Sequence, residues 1–383
     1  MPRCVSSAGR VIAAVFAATL VAAPQPVASA QPQEVRLRPP AVPLVTHDPY
    51  FSIWSPADRL TDAATVHWTG RAHPLTSLIR VDGESFRLAG AAPADTAALP
   101  QQSVTVHPTR TVYVFANRLV RVTLTFLTPS LPFDLDLLSR PISYISWEVA
   151  SADGKAHAVQ VYFDCSAEIA VNTPDQTVQL DRPAVPGLSV ARVGTPDQPV
   201  LARRGDDVRI DWGYGYLAVP AEAGAAVAGD NGGRLRRAFL GSGAVPGPAG
   251  SEQAAPVPAS RLAMAVSWDL GTVERNPVTR WAMLAYDDVL AIRYFSRDLR
   301  AYWRRNGGTM EDLLATAARE RAQLDSQARA FDAELLRDLT QAGGPKYAAI
   351  GALAFRQTLA STKLAADANG QPLLFPKEHF SNG

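Results

Sequence analysis

The stretch TVYVFANRLVRVTLTF, residues 111–126, decides the fold of this chain. In its second half apolar residues alternate with polar ones: Val120, Val122, Leu124 and Phe126 with Arg121, Thr123 and Thr125. Successive side chains of a strand point to opposite faces. This period of two therefore predicts a strand with one buried and one solvated face. A short turn at Ala116-Asn117 joins it to a preceding strand at Thr111–Phe115.

Similar strand-like stretches recur over about residues 101–290. They are Tyr144–Ser151, His157–Val171, Val208–Pro220, Arg261–Leu270 and Trp281–Tyr286. Strands in succession, punctuated by turns and without intervening helices, favour an antiparallel β-sandwich.

Two Asp-Gly pairs predict tight hairpin turns, because both residue types tolerate positive φ. Asp82-Gly83 lies between Leu78–Val81 and Ser85–Leu88. Asp153-Gly154 lies between the first two of the stretches named above. We therefore expect a β-hairpin at each place.

Composition excludes several classes of protein. The 383 residues carry 37 Lys and Arg against 36 Asp and Glu, so the net charge of +1 argues against a nucleic-acid binder held by bulk charge. Two cysteines are too few for a disulfide scaffold. Hydrophobic residues make up 47%, enough for a sizeable core. The 30 prolines predict many loops and strand edges, because proline interrupts helices and central strands.

The first thirty residues have the pattern of a secretory signal peptide. Arg3 and Arg10 precede the uncharged run Val11–Ala23, and Ala28-Ser29-Ala30 fits an A-x-A cleavage site. We predict cleavage after Ala30 and a secreted or periplasmic protein. The alternative, a transmembrane anchor, needs about 20 apolar residues, more than this run contains. No other run is long enough, so we expect no membrane span.

Removal of residues 1–30 would change two properties of the chain. It would become slightly acidic, because Arg3 and Arg10 would be lost. Cys165 would be its single cysteine. Because Cys165 lies in the apolar stretch Val159–Val171, we expect a small buried hydrophobe rather than a catalytic thiol.

The periodicity becomes helical from about residue 287. Thr309 precedes Met310-Glu311-Asp312, which predicts an N-cap with two acids in the first helical turn. Gly343-Gly344 predicts the end of this helix, and Pro345 the start of the next. Between them runs one apolar stripe, formed by Leu313, Ala317, Leu324, Ala328, Phe331, Leu335 and Leu339.

The next helix, Tyr347–Phe355 (YAAIGALAF), is apolar almost all round, which is typical of a helix buried on most sides. The helices that would bury it are not in the sequence. We therefore expect a fragment, cut shortly after its last domain begins, in which the apolar face of this helix is exposed. The alternative is a natural end with a poorly ordered tail.

The sequence contains no strong catalytic or metal-binding motif. G-x-S-x-G, H-E-x-x-H, the P-loop and Cys/His metal spacings are all missing. We predict no metal and no cofactor, because a zinc site needs about four converging ligands and nothing local supplies them. The six histidines are scattered: His47, His67, His73, His107, His157 and His379.

Three clusters are candidate sites. The first joins His47, Asp48, Tyr50 and Trp54 with Trp68. Dense aromatics beside short polar groups suit the wall of a small-molecule pocket, although on these residues alone the packing of a proline-rich segment is favoured.

The other two clusters are acidic or mixed. Tyr286-Asp287-Asp288, at the start of the helical region, is typical of a helix cap. Lys377-Glu378-His379 with Ser381 and Asn382 follows the second helix, and Glu378 there can act as a general acid or base. A solvated loop is the alternative for this last cluster.

Segments along nearly the whole chain after the signal resemble the secreted glutaminase A family. They are, in order, LRPPAVPLVTHDPYFSIWS, VHWTG and LTSLIRVDGESFRLAG (within 37–90), HPTRTVYVF (107–115), LTFLTPSLP (124–132), DLLSRPISYISWEV (136–149), AVNTPDQ (170–176), SWDLG (267–271), RWAMLAYDD (280–288), YWRRNG (302–307) and LLFPKEHFSNG (373–383). Because the segments keep their order, the resemblance is more specific than any single motif.

The resemblance implies an antiparallel β-sandwich followed by an (α/α)6 six-hairpin toroid. It implies hydrolysis of L-glutamine to L-glutamate and ammonia, with a small-molecule amide as substrate and no nucleic-acid partner. The chain then divides into the signal peptide at 1–30, an N-terminal segment at 31–95, the β-sandwich at 96–290, and a helical linker with the first toroid hairpin at 291–383.

The resemblance also places candidate site residues. Lys377, Glu378 and Asn382 fall in the first toroid loop that could face a central cavity, so we predict them as catalytic. Glu378 would activate water, and Lys377 would stabilise the oxyanion. The predicted substrate-binding residues lie in the N-terminal segment: His47, Asp48, Tyr50, Trp54 and Trp68.

Two other functions stay open. A six-hairpin glycoside hydrolase would share the fold but needs a second carboxylate across the cavity. A β-sandwich with one helical hairpin would also suit a non-catalytic binding module. On either view we expect the chain as it stands to be inactive alone.

Overall fold

Two large antiparallel sheets organise the chain in the computed structural model, which describes residues 37–203, 209–221, 224–247 and 255–376. In chain order the strands are β1 (Val42–Val45), β2 (Ile53–Ser55), β3 (Leu75–Val81), β4 (Glu84–Ala89), β5 (Gln101–Val106), β6 (Arg110–Ala116), β7 (Val120–Leu127), β8 (Ile142–Ser151), β9 (His157–Ser166), β10 (Thr177–Asp181), β11 (Leu188–Gly194), β12 (Tyr214–Pro220), β13 (Ala225–Asp230), β14 (Val257–Pro258), β15 (Ala263–Val273), β16 (Val278–Asp287), β17 (Ile292–Tyr294), β18 (Arg297–Ala301), β19 (Thr362–Ala366) and β20 (Pro372–Pro376). The helices are α1 (Leu135–Leu138), α2 (Gly232–Ser242) and α3 (Met310–Ala360), with 3-10 turns at Ala167–Ala170, Ala259–Arg261 and Tyr302–Arg304.

The nine-stranded sheet has the order β14-β10-β11-β12-β16-β8-β7-β6-β5, and the five-stranded sheet has the order β13-β15-β9-β3-β4. Neighbouring strands in both sheets run antiparallel. Two smaller sheets, β1-β2 and β17-β18-β19-β20, complete the β structure of the described residues.

The main core lies between the two large sheets. Trp147 on β8 contacts Phe163 on β9 and Trp268 on β15, with ring centroids 5.3 Å apart in both contacts. Its indole Nε1 donates a hydrogen bond to Ser77 Oγ on β3 at 2.9 Å, which satisfies the one polar group of the ring. Apolar burial of this kind contributes about 25 cal/mol per Å² removed from water. The predicted antiparallel sandwich is therefore confirmed.

Helices cover the outer faces of both large sheets. On the nine-stranded sheet Tyr144 and Met283 pack with Leu314 of α3. On the five-stranded sheet Tyr162 packs against Phe239 of α2, with ring centroids 5.3 Å apart. Successive side chains of a strand point to opposite faces, so alternate residues of one strand contribute to two different cores.

One of the two predicted hairpins is confirmed, and the other is wrong. β3 and β4 pair across Asp82 and Gly83, whose φ values of 50° and 91° suit a tight turn. The strands on either side of Asp153-Gly154, β8 and β9, lie in opposite sheets and do not pair with each other. The Asp-Gly signal reports a reversal of the chain, but it does not reveal which sheet the second strand joins.

Helix α2 interrupts the region that we expected to hold strands without intervening helices. Its N-cap is Asn231, whose side chain accepts a hydrogen bond from the backbone N–H of Arg234 at 3.2 Å. Leu235 and Phe239 of the helix are buried. The sequence does not reveal this helix, because its first two residues, Gly232 and Gly233, have low helix propensity.

Both ends of the first long helix agree with the sequence. Thr309 Oγ1 accepts a hydrogen bond from the backbone N–H of Asp312 at 3.1 Å, so the predicted N-cap is confirmed. Gly344 interrupts α3 with φ 81° and ψ 177°, and Pro345 starts the second part. Residues other than glycine adopt such angles only at a cost in strain.

The second part of α3 buries a narrower face than its composition indicates. Ala348 and Ala352 are buried, whereas Tyr347 and Ile350 are 50% and 47% exposed. Among the described residues this helix is therefore not buried on most sides, although its apolar sequence is typical of such burial. The expected exposure of the apolar face is therefore only partial: it holds for Tyr347 and Ile350 but not for Ala348 and Ala352.

The segment before α3 is not helical over its whole predicted length. β16 continues through Asp287, and β17, β18 and a 3-10 turn follow before α3 begins at Met310. Asp287 and Asp288 therefore do not cap a helix, and that interpretation is wrong. Asp287 accepts a hydrogen bond from the backbone N–H of Val289 at 3.0 Å and pairs with Arg304 at 2.9 Å.

Cys165 is fully buried in the main core, as predicted. Burial raises the pKa of its thiol, which makes it a weak nucleophile. None of the described helices has a stretch long and apolar enough to cross a membrane. The predicted signal peptide lies outside the described residues.

Candidate functional site

A tight loop between β1 and β2 carries three of the five residues predicted to bind substrate: His47, Asp48 and Tyr50. Asp48 Oδ1 accepts the backbone N–H of Tyr50 at 2.8 Å, and the Asp48 carbonyl accepts that of Phe51 at 3.2 Å. An aspartate that binds the backbone two residues further on closes such a turn. The other carboxylate oxygen of Asp48 contacts the C-terminal part of the chain.

Lys363 on β19 lies between Asp48 and Asp288 in the interior. Its Nζ pairs with Asp48 Oδ2 and lies 2.5 Å from Asp288 Oδ2. The three side chains are 7%, 2% and 3% exposed, in the order Lys363, Asp48 and Asp288. Burial alone would lower the pKa of Lys363, but the two carboxylates outweigh it and raise that pKa. Lys363 is therefore charged at neutral pH.

The acids around this lysine are themselves perturbed. Burial, opposed by Lys363, raises the pKa of Asp288, and the nearby Asp48 adds to the rise. Burial also raises the pKa of Asp287, opposed by Arg304. The ions of this cluster are buried and paired with one another, so they are poorly placed to contact a substrate. Their role is better explained as holding together the β1–β2 loop, the end of β16 and β19.

A second buried cation, Arg356, attaches the second part of α3 to the same N-terminal strand and loop. Its Nε donates to Thr46 Oγ1 at 3.0 Å, and its Nη2 donates to the carbonyl of Leu44 at 3.2 Å. Burial lowers the pKa of Arg356 to about 10, against the opposing effect of Asp332. Two cations of the C-terminal part therefore hold residues 43–48 in place.

His47 presents a neutral imidazole to a small cavity. Its Nδ1 lies 3.0 Å from Ser143 Oγ, which lies 2.5 Å from Thr128 Oγ1. Its Nε2 is enclosed and has no hydrogen-bond partner among the described residues. Burial, with Lys363 adding to it, lowers the pKa of His47 to about 3. At neutral pH this nitrogen can therefore form one hydrogen bond with a ligand, as a donor or an acceptor according to the tautomer of the ring.

The cavity beside His47 has a volume of about 130 Å³. Thr46, Ser130, Thr358 and Thr362 line it, so several hydroxyl groups surround the imidazole. A space of this size suits a small polar group rather than a whole drug-sized ligand.

A larger cavity of about 570 Å³ lies where the N-terminal segment meets the second part of α3. Trp54 and Trp68, both predicted to bind substrate, form its N-terminal wall. Gln357 and Thr358 belong to its opposite wall, and Thr358 also lines the smaller cavity. Small-molecule sites are typically concave, largely apolar and about 300–1,000 Å³ in volume, with a few polar groups.

Hydrogen bonds fix the aromatic wall of the larger cavity. The indole Nε1 of Trp68 donates to the carbonyl of Pro49 at 3.0 Å, and that of Trp54 donates to Ser52 Oγ at 3.0 Å. His67 also lines the cavity, and its ring centroid lies 5.0 Å from that of His73.

These two histidines are uncharged at neutral pH. Burial lowers the pKa of His67 to about 3 and that of His73 well below its usual value. Across the described ranges, no group of three or more His, Cys, Asp or Glu residues is placed to hold a metal ion.

The five predicted binding residues occupy four different environments. Trp54 and Trp68 line the larger cavity, and His47 lines the smaller one. Asp48 belongs to the buried ion cluster, and Tyr50 packs edge-on against Trp212, with ring centroids 5.4 Å apart. The predicted catalytic residues Lys377, Glu378 and Asn382 lie outside the described residues.

Sequence reasoning missed both buried cations. Lys363 is the single charge in the strand TKLAA, and Arg356 follows the apolar run YAAIGALAF. A lone cation inside an apolar element is a usable signal, because such a charge is buried only where partners neutralise or hydrogen-bond it. Asp288 was noticed in the sequence, but the wrong role was given to it.

The described residues form an antiparallel β-sandwich. Its C-terminal helix α3 and the β19-β20 hairpin are attached to the N-terminal segment, and this arrangement defines the class of protein. Three family profiles match the sequence in succession. They are Domain of unknown function (DUF4964) over residues 12–101, Domain of unknown function (DUF5127) over 109–338, and the Glutaminase A six helical-hairpin domain over 344–383. The second of these covers more than half of the chain.

A curated relative agrees with these matches. Glutaminase A from Aspergillus oryzae is 28% identical over 361 residues, which cover 90% of this chain and 51% of that protein. The chain belongs to the glutaminase A family. It spans about half the length of this relative.

Two solved structures match the chain with low TM-scores. A candidate kojibiose phosphorylase from the human microbiome has 8% identity and a TM-score of 0.37, over 86% of this chain and 37% of that chain. A heparan sulfate lyase from Pedobacter heparinus has 6% identity and a TM-score of 0.25, over 50% of this chain and 22% of that chain.

Proposed function

We propose that the natural protein is an exported amidohydrolase of the glutaminase type, which converts L-glutamine to L-glutamate and ammonia. The observation that carries this proposal is the 28% identity to glutaminase A over 90% of the chain. The match of residues 344–383 to the six helical-hairpin domain supports it. The signal-peptide pattern at residues 1–30 supports export to the periplasm or the medium.

The reaction adds water across the carbon–nitrogen bond of the carboxamide. The water oxygen bonds to the carbonyl carbon, the carbon–nitrogen bond breaks, and a proton passes to the nitrogen, which leaves as ammonia. This chemistry needs a general acid/base and hydrogen-bond donors for the oxyanion. We assign the first role to Glu378, and the second to Lys377 and Asn382.

The larger cavity is the proposed place of the substrate. Trp54 and Trp68 supply a rigid aromatic wall, and Gln357 supplies a carboxamide opposite them. The last described residue, Pro376, pairs with Thr362, which lines the adjoining smaller cavity. The proposed catalytic residues therefore follow in sequence directly after a strand beside these cavities.

The test is ammonia release from L-glutamine by the natural full-length protein, with a panel of glycosides measured in parallel. We expect release by the wild type and a fall of about 100-fold or more for Glu378→Gln, because loss of a general acid/base typically costs that much. Glu334→Gln, an exposed position on α3, is the matched control.

The other outcomes separate the alternatives. Hydrolysis of glycosides but not of glutamine would identify a glycoside hydrolase instead. Full activity of Glu378→Gln would remove Glu378 from the mechanism. Binding without any turnover would identify a non-catalytic module.

A further inference from the structure

A polar cavity of about 320 Å³ lies between α3 and the outer face of the nine-stranded sheet. It shares no lining residue with the two cavities described above. Thr123, Glu148 and Thr279 lie opposite one another on three adjacent strands and form one row of its floor. Thr125 and Ser146 pair in the next row. Hydrogen-bonding groups therefore cover a surface where a helix normally packs on apolar side chains.

Arg321 provides a guanidinium to this cavity. It stacks over the Trp281 ring, with its Cζ 5.0 Å from the ring centroid. Its Nε is enclosed and has no hydrogen-bond partner within the described ranges. Asp325, one turn further along α3, accepts a hydrogen bond from Arg329 at 2.8 Å. Burial lowers the pKa of Arg321, yet an arginine keeps its charge in proteins.

Glu148 provides the opposite charge. It occupies the middle of β8 and lines the same cavity. In the part of the chain that the structure describes, its carboxylate has no ion-pair partner. Four charged side chains therefore line the cavity: Asp325 and Arg329 pair with each other, whereas Arg321 and the exposed Glu148 have no ion-pair partner among the described residues.

We propose that this cavity binds a free polar α-amino acid in its zwitterionic form. The α-carboxylate pairs with Arg321, because a planar guanidinium presents parallel donors that match a carboxylate. The α-ammonium pairs with Glu148, and the polar side chain of the ligand reaches the hydroxyl groups of Thr123 and Thr125. A simple anion would be repelled by Glu148, and a simple cation by Arg321. The volume lies at the lower end of the range of about 300–1,000 Å³ for small-molecule sites.

The experiment is isothermal titration calorimetry on the chain with L-glutamine and L-glutamate. Two probes each lack one charged group: glutaramic acid has no ammonium, and 4-aminobutanamide has no carboxylate. We expect both amino acids to bind, and both probes to bind at least about tenfold more weakly. Arg321→Met and Glu148→Gln should each weaken amino-acid binding by a similar factor.

Control variants locate the binding. Arg319→Met, an exposed arginine of the same helix, should bind like the wild type. Trp68→Ala changes the larger cavity, so it should weaken only the binding of L-glutamine there and leave the Arg321-dependent binding of both amino acids in place. Thermal unfolding without ligand, measured for each variant, shows that the fold is kept.

Three results would overturn the proposal. The first is that neither amino acid gives a heat of binding. The second is that the two probes bind with the same affinity as the amino acids. The third is that amino-acid binding survives Arg321→Met but is lost in Trp68→Ala. The last result would mean that the amino acid binds in the larger cavity alone. The proposal does not rest on glutaminase activity, so an inactive protein that binds amino acids through Arg321 would still support it.

Discussion

Two buried cations attach the C-terminal part of the chain to residues 43–48, and their surroundings differ. Arg356 donates to neutral acceptors, among them Thr46 Oγ1 at 3.0 Å and the Leu44 carbonyl at 3.2 Å. Lys363 lies between two buried carboxylates. Burial lowers the pKa of Arg356 to about 10, whereas the carboxylates overcome the effect of burial and raise that of Lys363.

The difference follows from how each group spreads its charge. A guanidinium distributes its charge over five N–H donors and is weakly hydrated, so carbonyls and hydroxyls can take the place of water. An ammonium is compact and strongly hydrated, so it is buried only with opposite charge beside it. Removing each cation should therefore have a different consequence. One removal leaves unpaired carbonyls, and the other leaves two buried negative charges.

Removal of Lys363 should have the largest effect. Lys363→Met leaves Asp48 and Asp288 buried without a counter-charge, which typically costs about 3–5 kcal/mol of unfolding free energy. Burial raises the pKa of Asp288, and loss of the lysine removes the effect that opposes this rise. Protonation of Asp288 therefore restores stability as the pH falls, and the deficit should be smaller near pH 4 than near pH 7. Urea unfolding of the chain at the two pH values measures this.

Lys346→Met, an exposed lysine near the start of the second part of α3, is the matched control and should change stability by less than about 0.5 kcal/mol. A deficit for Lys363→Met that is small, or independent of pH, would show that the cluster contributes little to the attachment.

Removal of Arg356 should have a smaller effect that does not depend on acid pH. Arg356→Met leaves the carbonyl of Leu44 and the hydroxyl of Thr46 without their donor, at a cost of about 1–3 kcal/mol. The same urea series from pH 4 to pH 7 should give a nearly constant deficit, because within the described residues no carboxylate accepts a hydrogen bond from Arg356, and the nearby Asp332 keeps its own pair with Arg110. Arg356→Lys should recover only part of it, since one ammonium cannot reach all the acceptors. If the loss of unfolding free energy in Arg356→Met became smaller at low pH, as expected for Lys363→Met, the contrast between the two cations would be wrong.

The break in α3 sets the direction of the helix that carries Arg356. Gly344→Ala forces a side chain into φ 81° and ψ 177°, so we expect a loss of about 1–3 kcal/mol from backbone strain alone. No neighbouring atom of the described residues lies within 4 Å of the added Cβ, so strain rather than a steric clash with them would cause the loss. Gly308→Ala, at a position without positive φ, is the control for thermal unfolding. Equal midpoints for the two variants would remove the strain argument.

Removal of His157 should have the smallest effect on stability. This cation lies between two carboxylates, as Lys363 does, but its partners are more exposed. His157 Nδ1 lies 2.6 Å from Asp82 and its Nε2 lies 3.0 Å from Asp153, but these acids are 47% and 27% exposed. Hydrogen bonds to Asp82 and Asp153 raise the pKa of His157. Its contribution is therefore present below the usual histidine pKa and is lost as the pH rises through the raised value.

His157→Gln should cost about 0.2–1 kcal/mol near pH 5.5 and less near pH 8.5, because pairs with exposed partners are weak. Thermal unfolding at the two pH values checks this. An equal cost at both would mean that the charge of His157 makes no contribution.

The fold was predictable wherever local chemistry sets the structure. The alternation at Val120–Phe126, the cap at Thr309 and the break at Gly344 are each fixed by neighbouring residues, and each prediction is confirmed. The connection from β8 to β9 was not predictable, because the Asp153-Gly154 turn is the same whether the next strand pairs or crosses to the other sheet.

The candidate site was predictable in part. Aromatic density led to Trp54 and Trp68, which line the larger cavity. Lys363 and Arg356 were missed, because their partners Asp48 and Thr46 are more than 300 positions away in the sequence. Such pairings depend on how the chain folds back on itself, and no local pattern encodes them.

The account depends most on the claim that the larger cavity holds the amide substrate of a glutaminase-type reaction. The direct measurement is kcat and KM for L-glutamine in the natural full-length protein, for the wild type, Trp68→Ala and Phe295→Ala. Phe295 is 83% exposed and lines none of the three cavities described here, so it controls for loss of an aromatic ring. The account predicts a KM raised by about tenfold or more for Trp68→Ala alone. An unchanged KM for Trp68→Ala, or an equal rise for Phe295→Ala, would contradict it.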